Sequence, residues 1–476
     1  MRSKYNTLIA ALLPALLHVA CTKLVEVDPP VTTVAEANVY NNDATAIAVL
    51  TGIYTQISTA YFPGGGISTL SLFPSLSADE LTLMPGTSKQ DYYAYYTNSL
   101  SDVNTGGTDY WNTFYPKIFV LNAAVEGLTA ANGITGAVKK QLLGEAKFMR
   151  AFCYFYLVNL YGDVPLVLST DYTSTAQLSR APQAQVWHQV ISDLKDATML
   201  LSDEFLDISL LNPGGERVRP TKWAALALLA RSYLFTKDWA GAASAAGAVI
   251  SESARFSLTG LNEVFLANSS EAIWQLQPVN SGENTQDARL FIVLPSGPDD
   301  DHPVYLSPQL LGGFEAGDQR RKNWVDSVVA DGYGTIYYPF KYKVAAASTD
   351  IPVTEYEMVM RLAEQYLIRA EARARQGELA EAVSDLNLIR NRAGLPDIAP
   401  GSQDGVLAAI LKERRVELFT EWANRWLDLK RTGTINSVME TVAGEKGGDW
   451  SAFKQLYPIP STEVQSGIHL IQNDGY

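Results

Sequence analysis

Two stretches of the chain share one spacing of small and apolar residues, and this repetition restricts the fold more than any other feature. In residues 226–250 the spacing occupies positions 4, 7, 8, 11, 20, 24 and 27 of a 34-residue frame. The residues there are Leu226, Leu229, Ala230, Tyr233, Ala242, Ala246 and Val249. In residues 366–390, positions 4, 8, 20, 24 and 27 hold Tyr366, Ala370, Ala382, Leu386 and Ile389. Because small residues let two antiparallel helices approach closely, each stretch predicts a helical hairpin.

The shared frame is that of the tetratricopeptide repeat, in which hairpins stack on one another to complete a core. Gly377 falls at the turn between the two helices of the second unit. Arg369 and Arg373 occupy frame positions that are normally apolar, so the second unit departs from the pattern. Alanine-rich amphipathic hairpins of another kind are the alternative. We predict a mainly α fold built on tetratricopeptide-like hairpins.

Helical spacing and loop composition divide the rest of the chain. The predicted helical scaffold covers about 41–60, 109–251 and 355–476, with helical spacing clearest in 109–161, 221–251 and 355–433. Residues 61–108 and 255–350 hold most of the Gly, Pro, Ser, Asn and Asp clusters, and alternating runs such as EAIWQLQ (271–277) predict isolated strands there. Loops of this length in a compact protein usually carry function. We therefore predict one domain, 41–476, whose two loop-rich, partly β segments face the ligand.

The loop-rich segments contain clustered aromatic residues that suit ligand binding. Aromatic faces stack on sugar rings or peptide side chains, and neighbouring Asp and Asn side chains supply hydrogen bonds. The predicted ligand-binding residues are Asp79, Tyr92, Tyr93, Tyr95, Tyr96, Trp324, Tyr333, Tyr337 and Tyr338. Core packing is the alternative for any one of these rings. For Trp111 and Trp274, the helical and alternating contexts favour the core.

No sequence motif predicts catalysis. The chain lacks a Gly-x-Ser-x-Gly elbow and a His-Glu-x-x-His pair, and YFPGGGIST (61–69) has no Lys of the kind that a phosphate-binding loop requires. We therefore predict a protein that is not an enzyme and has no cofactor. Asp299, Asp300 and Asp301 are a candidate Ca²⁺ site, but the calcium-loop spacing is absent and a solvated acidic turn is favoured. Cys153, in the apolar context AFCYF, is predicted to be a small buried hydrophobe.

The first residues have the pattern of an export signal. Arg2 and Lys4 precede an apolar run from Leu8 to Leu17, which is too short to span a bilayer. Ala20-Cys21 follows and resembles the cleavage site of bacterial lipoproteins, where the cysteine is acylated. We predict a signal peptide at 1–20 and a lipidated tether at 21–40, anchored through Cys21. A buried helix of the mature fold is the alternative reading of the apolar run.

The charge balance excludes one class of partner. The formal net charge of −14 becomes −16 once Arg2 and Lys4 leave with the signal peptide. Nucleic acid is excluded as a partner because phosphate binding needs clustered Lys and Arg. No second hydrophobic stretch has spanning length. The composition therefore suits a soluble body held near a membrane by its anchor.

Several longer motifs follow one another in order along the chain. GEAKFMRAFCYFYLVNLYGDVPLV (144–167) reads as a long helix ending in Tyr-Gly-Asp-Val-Pro, and TEYEMVMRLAEQYLIRAEARARQG (354–377) contains RLAE-x-YL-x-RAEA. LNLIRNRAGLP (386–396), ILKERRVELFTEWANRWLDLKRTG (410–433) and the closing LYPIPSTEVQSGIHLIQNDGY (456–476) complete the series. Together they resemble the SusD/RagB family, the surface-exposed nutrient-binding lipoproteins of Bacteroidota. The helix residues Arg150, Arg361, Glu364 and Glu371 are predicted to form ion pairs within the scaffold.

The resemblance implies a protein of polysaccharide utilization that is lipid-anchored in the outer membrane and exposed at the cell surface. It implies binding of an oligosaccharide, or of a peptide as in some relatives, through the two variable loop-rich segments. It also implies a SusC-like TonB-dependent transporter as the partner that receives the ligand. Two alternatives stay open: a surface glycoside hydrolase, and a tetratricopeptide scaffold that binds proteins and no small ligand.

Overall fold

The computed structural model describes residues 39–58, 67–105 and 110–476. The predicted signal peptide, Cys21 and nearly all of the predicted tether lie outside the described residues. Within the described ranges, every helix is too short or too polar to cross a membrane.

Helices make up most of the secondary structure. In chain order they are α1 (Asp43–Ser58), α2 (Phe73–Ser77), α3 (Gln90–Tyr96), α4 (Tyr110–Ala130), α5 (Gly136–Tyr161), α6 (Tyr172–Thr175), α7 (Gln183–Leu200), α8 (Lys222–Phe235), α9 (Trp239–Ile250), α10 (Gln286–Phe291), α11 (Pro308–Leu311), α12 (Gln319–Asn323), α13 (Leu362–Arg375), α14 (Leu379–Arg392), α15 (Gln403–Glu417), α16 (Asn424–Arg431), α17 (Ile435–Glu445) and α18 (Ser461–Ser466). The long helices lie in the predicted scaffold, which confirms the mainly α fold class.

Short strands occur in antiparallel pairs. They are β1 (Leu81–Leu83), β2 (Ala272–Leu276), β3 (Val304–Leu306), β4 (Val325–Ala330), β5 (Gly334–Pro339) and β6 (Glu357–Arg361). β1 pairs with β3, β2 with β6, and β4 with β5 as a hairpin. Five of the six strands lie in the two predicted loop-rich segments, as expected for partly β insertions.

The repeated spacing corresponds to two stacked helical hairpins, α8–α9 and α13–α14. A buried cluster joins them, with Ala230 and Leu234 from the first helix, Ala242 and Ala246 from the second, and Ile368 from α13. The methyl side chains of Ala230, Ala242 and Ala246 allow the helices to pack closely. α15 extends the stack by packing on α13 and α14. The tetratricopeptide-like scaffold is thereby confirmed.

The two arginines that depart from the repeat pattern join the helices of the second hairpin. Arg369 on α13 donates two hydrogen bonds to the Asp385 carboxylate on α14, of 2.9 and 2.7 Å. Arg373, one turn later, donates to the same carboxylate at 2.7 Å. An ion pair thus takes the place of the apolar contact that the frame predicts.

The long helix α5 forms the centre of the main core. Along most of its length its side chains are buried, including Cys153, which is 0% exposed. Burial raises the pKa of the Cys153 thiol to about 12, so it stays protonated and behaves as the predicted small hydrophobe. Trp111 and Trp274 are also in this core, as predicted. The helix ends at Gly162, whose φ of +78° favours glycine.

One predicted helical region is partly wrong. The helical zone was expected to begin at residue 355, but residues 357–361 form strand β6, and α13 begins only at Leu362. All five strand residues are buried, and β6 pairs with β2, so the core supplies the hydrogen bonds and apolar contacts that favour a strand.

Ion pairs fix the scaffold where the motif residues predicted them. Arg150 binds the Asp193 carboxylate at 2.8 and 2.7 Å, and Arg231 binds Glu364 at 2.7 and 2.6 Å. Glu371 accepts two bonds of 2.7 Å from Arg431. These pairs are buried between helices, so the motif residues stabilise the scaffold.

Arg361 is the hub of the largest group of buried ion pairs. Its guanidinium is 1% exposed and binds three carboxylates, those of Glu271, Glu417 and Glu421. Arg392 binds Glu271 and Glu417 as well. Opposite charges in contact offset part of the cost of burying each one. Since Glu271 adjoins β2 and Glu417 ends α15, the group fastens the second loop-rich segment to the C-terminal helices.

Candidate functional site

The two loop-rich segments meet in a small antiparallel sheet. β1 comes from the first segment and β3 from the second, with Thr82 opposite Tyr305. Flanking backbone bonds extend the pairing, from Met84 N to Pro303 O at 2.7 Å and from Ser307 N to Glu80 O at 2.9 Å. β3 also packs against β5 of the second segment's hairpin. Segments more than 200 residues apart in sequence therefore form one continuous surface.

Four tyrosines occupy this surface, and we call Tyr93, Tyr96, Tyr305 and Tyr333 the tyrosine face. Tyr93 and Tyr333 are 50% and 40% exposed, and Tyr96 and Tyr305 are half-buried. Tyr93 and Tyr96 lie three residues apart on α3 and so share one side of that helix.

Electrostatic interactions link three members of the tyrosine face, Tyr96, Tyr305 and Tyr333. Burial raises the pKa of Tyr96, and the hydroxyl of Tyr305 and the carboxylate of Glu445 raise it further. The pKa of Tyr305 is raised by burial and then by Tyr333. Tyr305 thus acts electrostatically on Tyr96, and Tyr333 acts on Tyr305, which links α3, β3 and the β4–β5 turn on this surface.

Tyr305 was missed by the sequence prediction, which relied on clusters of aromatic residues. A signal for it exists in the sequence. Val304 and Leu306 flank it in a short run, and neighbouring residues of a strand point to opposite sides. Burial of the two aliphatic side chains, at 0% and 2% exposure, turns Tyr305 away from the core.

Two of the predicted tyrosines belong to the core, which corrects their assignment. Tyr92 and Tyr95 are 2% and 1% exposed. Both rings pack on Phe73, with centroids 5.2 and 4.5 Å away. These tyrosines lie in a segment predicted to be loop-rich, but residues 90–96 form helix α3, whose periodicity turns Tyr92 and Tyr95 inward and Tyr93 outward.

Trp324 is also corrected to a scaffold residue. Its ring is 0% exposed, and its Nε1 donates to the backbone oxygen of Leu261 at 2.8 Å. Lys341 and Arg361 lie 5.0 and 5.8 Å from the ring centroid, within the cation–π range. No face of this ring is open for stacking on a ligand.

Asp79 holds two arginines in place of a ligand. It is 3% exposed and accepts bonds of 2.7 and 2.8 Å from Arg425 and one of 2.7 Å from Arg415. Burial alone would raise the pKa of Asp79, but the two guanidinium groups lower it overall. The carboxylate is therefore ionised and fastens the first loop-rich segment to α15 and α16.

Tyr337 and Tyr338, on β5, are only partly available. Arg321 stacks on the Tyr337 ring at 4.2 Å from its centroid. Tyr338 is 7% exposed, and its hydroxyl donates to Asp326 at 3.2 Å. Burial and then Asp326 raise the pKa of Tyr338 to about 12. Tyr338 is thus a buried strand residue, contrary to its predicted role, whereas Tyr337 lies at the edge of the surface.

The three consecutive aspartates form a structured turn beside β3. The Asp300 carboxylate accepts 2.7 Å bonds from the hydroxyls of Thr87 and Ser88, which ties this turn to the first loop-rich segment. Asp299 accepts from His302 N at 2.7 Å. In the part of the chain that the structure describes, no group of three His, Cys, Asp or Glu side chains is placed to hold a metal ion. The solvated acidic turn that the sequence favours over a Ca²⁺ site stays a prediction.

Comparison with known proteins gives a consistent result. The model of the SusD family matches residues 317–476, and a model described as "Starch-binding associating with outer membrane" matches residues 69–234. SusD-like protein P2 of Formosa agariphila is 27% identical to this chain, and the alignment covers 99% of this chain and 100% of that protein. The starch-binding protein SusD of Bacteroides thetaiotaomicron is 32% identical over an alignment that covers 27% of this chain and 22% of that protein.

Solved structures show the same architecture. A laminarin-binding SusD-like protein superposes with a TM-score of 0.76 at 25% identity, covering 92% of this chain and 100% of its own. Surface glycan-binding protein A of Bacteroides fluxus superposes with a TM-score of 0.74 at 22% identity, covering 91% of this chain and 99% of its own. The second likeness concerns the fold alone.

Proposed function

This chain belongs to the SusD family, and from that premise we propose that it binds an oligosaccharide at the bacterial cell surface without transforming it. The observation that carries the proposal is the tyrosine face, where two loop-rich segments present neighbouring tyrosines that are partly open to solvent. The names of similar proteins support it, since they describe binding of laminarin, of starch or of glycans.

The chemistry of the tyrosine face suits a sugar ligand. A pyranose ring has apolar C–H faces that stack on an aromatic ring, and its hydroxyls form hydrogen bonds at the rim. Phenol hydroxyls of Tyr96 and Tyr305, with the carboxylate of Glu445 nearby, supply such partners. Because the Glu445 carboxylate accompanies the tyrosines, we propose a neutral glycan, which such a surface does not repel.

We further propose that the protein is lipid-anchored through Cys21 to the outer membrane and delivers its ligand to a SusC-like TonB-dependent transporter. The family membership and the lipoprotein-like Ala20-Cys21 support this arrangement. Co-purification of the native protein with an outer-membrane barrel tests it. Isolation of the protein free of any barrel, from membranes that contain a transporter encoded beside it, contradicts it.

Titration calorimetry with a panel of neutral β- and α-glucans, laminarin included, tests the glycan proposal. Tyr333 is 40% exposed, so covering about 80 Å² of its ring contributes at most about 2 kcal/mol, a factor of roughly 30 in affinity. We expect Tyr333→Ala and Tyr305→Ala to weaken binding about tenfold. Tyr172→Ala is the matched control, because Tyr172 is 77% exposed but lies on α6, outside both loop-rich segments.

Three results decide between this proposal and the alternatives. Shortened products after incubation of a glucan with the purified protein support a glycoside hydrolase. Equal affinities of the wild type and the Tyr333→Ala and Tyr305→Ala variants exclude the tyrosine face as the site. Failure to bind any glycan, together with capture of a protein partner, favours the scaffold alternative.

A further inference from the structure

A small polar cavity lies where the first loop-rich segment meets the C-terminal helices, apart from the tyrosine face. We call it the arginine cavity. Its volume is about 30 Å³, which is close to that of one or two water molecules. Its lining includes Glu80 next to β1, Arg414 and Arg415 from α15, and Arg425 and Asp428 from α16. The exposed residue Thr434 lines its solvent side.

Three polar atoms of residues that line the arginine cavity have no hydrogen-bond partner among the residues that the structure describes. They are Nη1 of Arg414, Nε of Arg415 and Oε1 of Glu80, and all three are buried. Other atoms of the two arginines bind carboxylates: Arg414 Nε donates to Asp428 at 2.7 Å, and Arg415 Nη2 donates to Asp79 at 2.7 Å. Buried polar groups are nearly always hydrogen-bonded, so these three atoms point to a missing ligand.

The charges around the arginine cavity favour an anion over a neutral molecule. Three guanidinium groups, those of Arg414, Arg415 and Arg425, face two ionised carboxylates, Asp79 and Asp428. The surplus is positive, although the whole chain has a net charge of −14. Guanidinium N–H groups can only donate hydrogen bonds, and an anion accepts them most strongly.

Glu80 is compatible with an anion in the cavity because its carboxyl is easily protonated and is then uncharged. Burial raises its pKa to about 7, even though Ser75 donates to Oε2 at 2.6 Å. Among the charged neighbours, Asp79 raises this pKa and Arg425 lowers it, while Arg415 is also close to Glu80. A protonated Glu80 has a hydrogen to donate from Oε1, the atom without a partner.

We propose that the arginine cavity binds one small monovalent anion of the size and charge of chloride, held by Arg414 Nη1, Arg415 Nε and the protonated carboxyl of Glu80. Such an anion connects the scaffold arginines to the residue that precedes β1. Since β1 pairs with the strand that carries Tyr305, the site stabilises the attachment of the first loop-rich segment. The proposal is independent of the proposed glycan function.

Bromide is the probe for this site, because it resembles chloride and scatters anomalously. We expect crystals of the mature protein soaked in sodium bromide to show an anomalous peak within hydrogen-bond distance of Arg414 Nη1 and Arg415 Nε. A cavity that contains only water, or bromide peaks only at the protein surface, overturns the proposal. This measurement needs no variant and so does not depend on a mutant that folds.

Thermal unfolding in bromide, with gluconate keeping the ionic strength constant, tests the site in solution. Gluconate is too bulky for the cavity and so does not bind there. We therefore expect the midpoint of thermal unfolding of the wild type to be about 2 °C higher in bromide than in gluconate. Arg415→Gln should abolish this increase. Lys412→Gln is the matched control, because it removes the same charge from a side chain of α15 that is 51% exposed and does not line the cavity. An equal bromide effect in Arg415→Gln contradicts the site.

The pH dependence of bromide binding identifies the role of Glu80. Protonation favours the anion, so the wild-type affinity should fall about fivefold from pH 7 to pH 8. Glu80→Gln keeps a donor at every pH, and we expect its bromide affinity to be the same at both values. A variant that loses affinity as steeply as the wild type contradicts the role given to Glu80.

Discussion

Replacement of Trp324 tests whether this residue belongs to the scaffold or to the ligand-binding surface. Sequence reasoning placed this residue among the aromatic platforms, but the structure buries it completely. Its ring contacts Phe265 with centroids 5.5 Å apart, and its Nε1 hydrogen-bonds to Leu261 O at 2.8 Å. The perturbation is therefore expected to change the free energy of unfolding and not the affinity for a glycan.

The size of the effect follows from these contacts. Removing a buried Trp side chain costs about 3–5 kcal/mol through lost contacts and the cavity left behind. The Leu261 carbonyl loses its hydrogen-bond donor. The cationic groups of Lys341, Arg361 and Arg392, which lie 5.0–5.8 Å from the centroid of the Trp324 ring, lose their cation–π contacts. These contributions do not add fully, so we expect about 5 kcal/mol for Trp324→Ala. Trp324→Phe keeps most of the volume and should cost about 2 kcal/mol.

Urea unfolding and glycan calorimetry on the same preparations give the readout. We expect Trp324→Phe to unfold at lower urea and to bind the glycan as well as the wild type does. Tyr333→Ala is the converse control, because a substitution at a partly exposed residue changes stability by about 0.5 kcal/mol or less while it removes a stacking ring. A Trp324→Phe protein that is as stable as the wild type but binds tenfold more weakly refutes the reasoning and restores Trp324 to the site.

Three further predictions concern charge and anchoring. Burial raises the pKa of Glu357 to about 7, although hydrogen bonds from Asp287 lower it, so its stabilising contribution is complete below about pH 4.5 and is lost as the pH rises through about 7. In urea unfolding, the free energy of unfolding of the wild type relative to that of Glu357→Gln should therefore fall by roughly 3 kcal/mol between pH 4.5 and pH 8. A difference between the two proteins that stays constant with pH contradicts this. Arg361→Met leaves three buried carboxylates without their shared cation and should cost about 3–5 kcal/mol by the same method, whereas an unchanged midpoint would show that the remaining cations suffice. Cys21→Ser should release the protein into the soluble fraction with an unchanged circular dichroism spectrum, and a wild type that incorporates no labelled palmitate argues against the anchor.

The buried ion pairs explain why the family-like motifs identify the fold without marking the ligand site. Arg150, Arg361, Glu364 and Glu371 all bind partners inside the scaffold. Removing one partner from such a pair leaves an uncompensated buried charge, which is strongly destabilising. The motif residues are thus tied to the packing of helices, while the tyrosine face is built by segments that lie outside the strongest motifs.

Regular spacing accounts for what the amino-acid sequence alone determined. The repeat positions, the long helix ending at Gly162 and the buried state of Cys153, Trp111 and Trp274 depend on local periodicity, because a helix or strand turns every third, fourth or second residue toward the same side. The loop-rich segments were also predictable, since their Gly, Pro and Asp clusters disfavour long helices.

Tertiary contacts alone decided which aromatic residues are open to a ligand. Tyr92 and Tyr93 are adjacent and chemically identical, yet one is 2% and the other 50% exposed, because Phe73 covers only the side of α3 that Tyr92 faces. Tyr305 joined the surface through the pairing of β1 with β3, across more than 200 residues. Exposure depends on which distant segment covers a side chain, and local spacing carries no information about that partner.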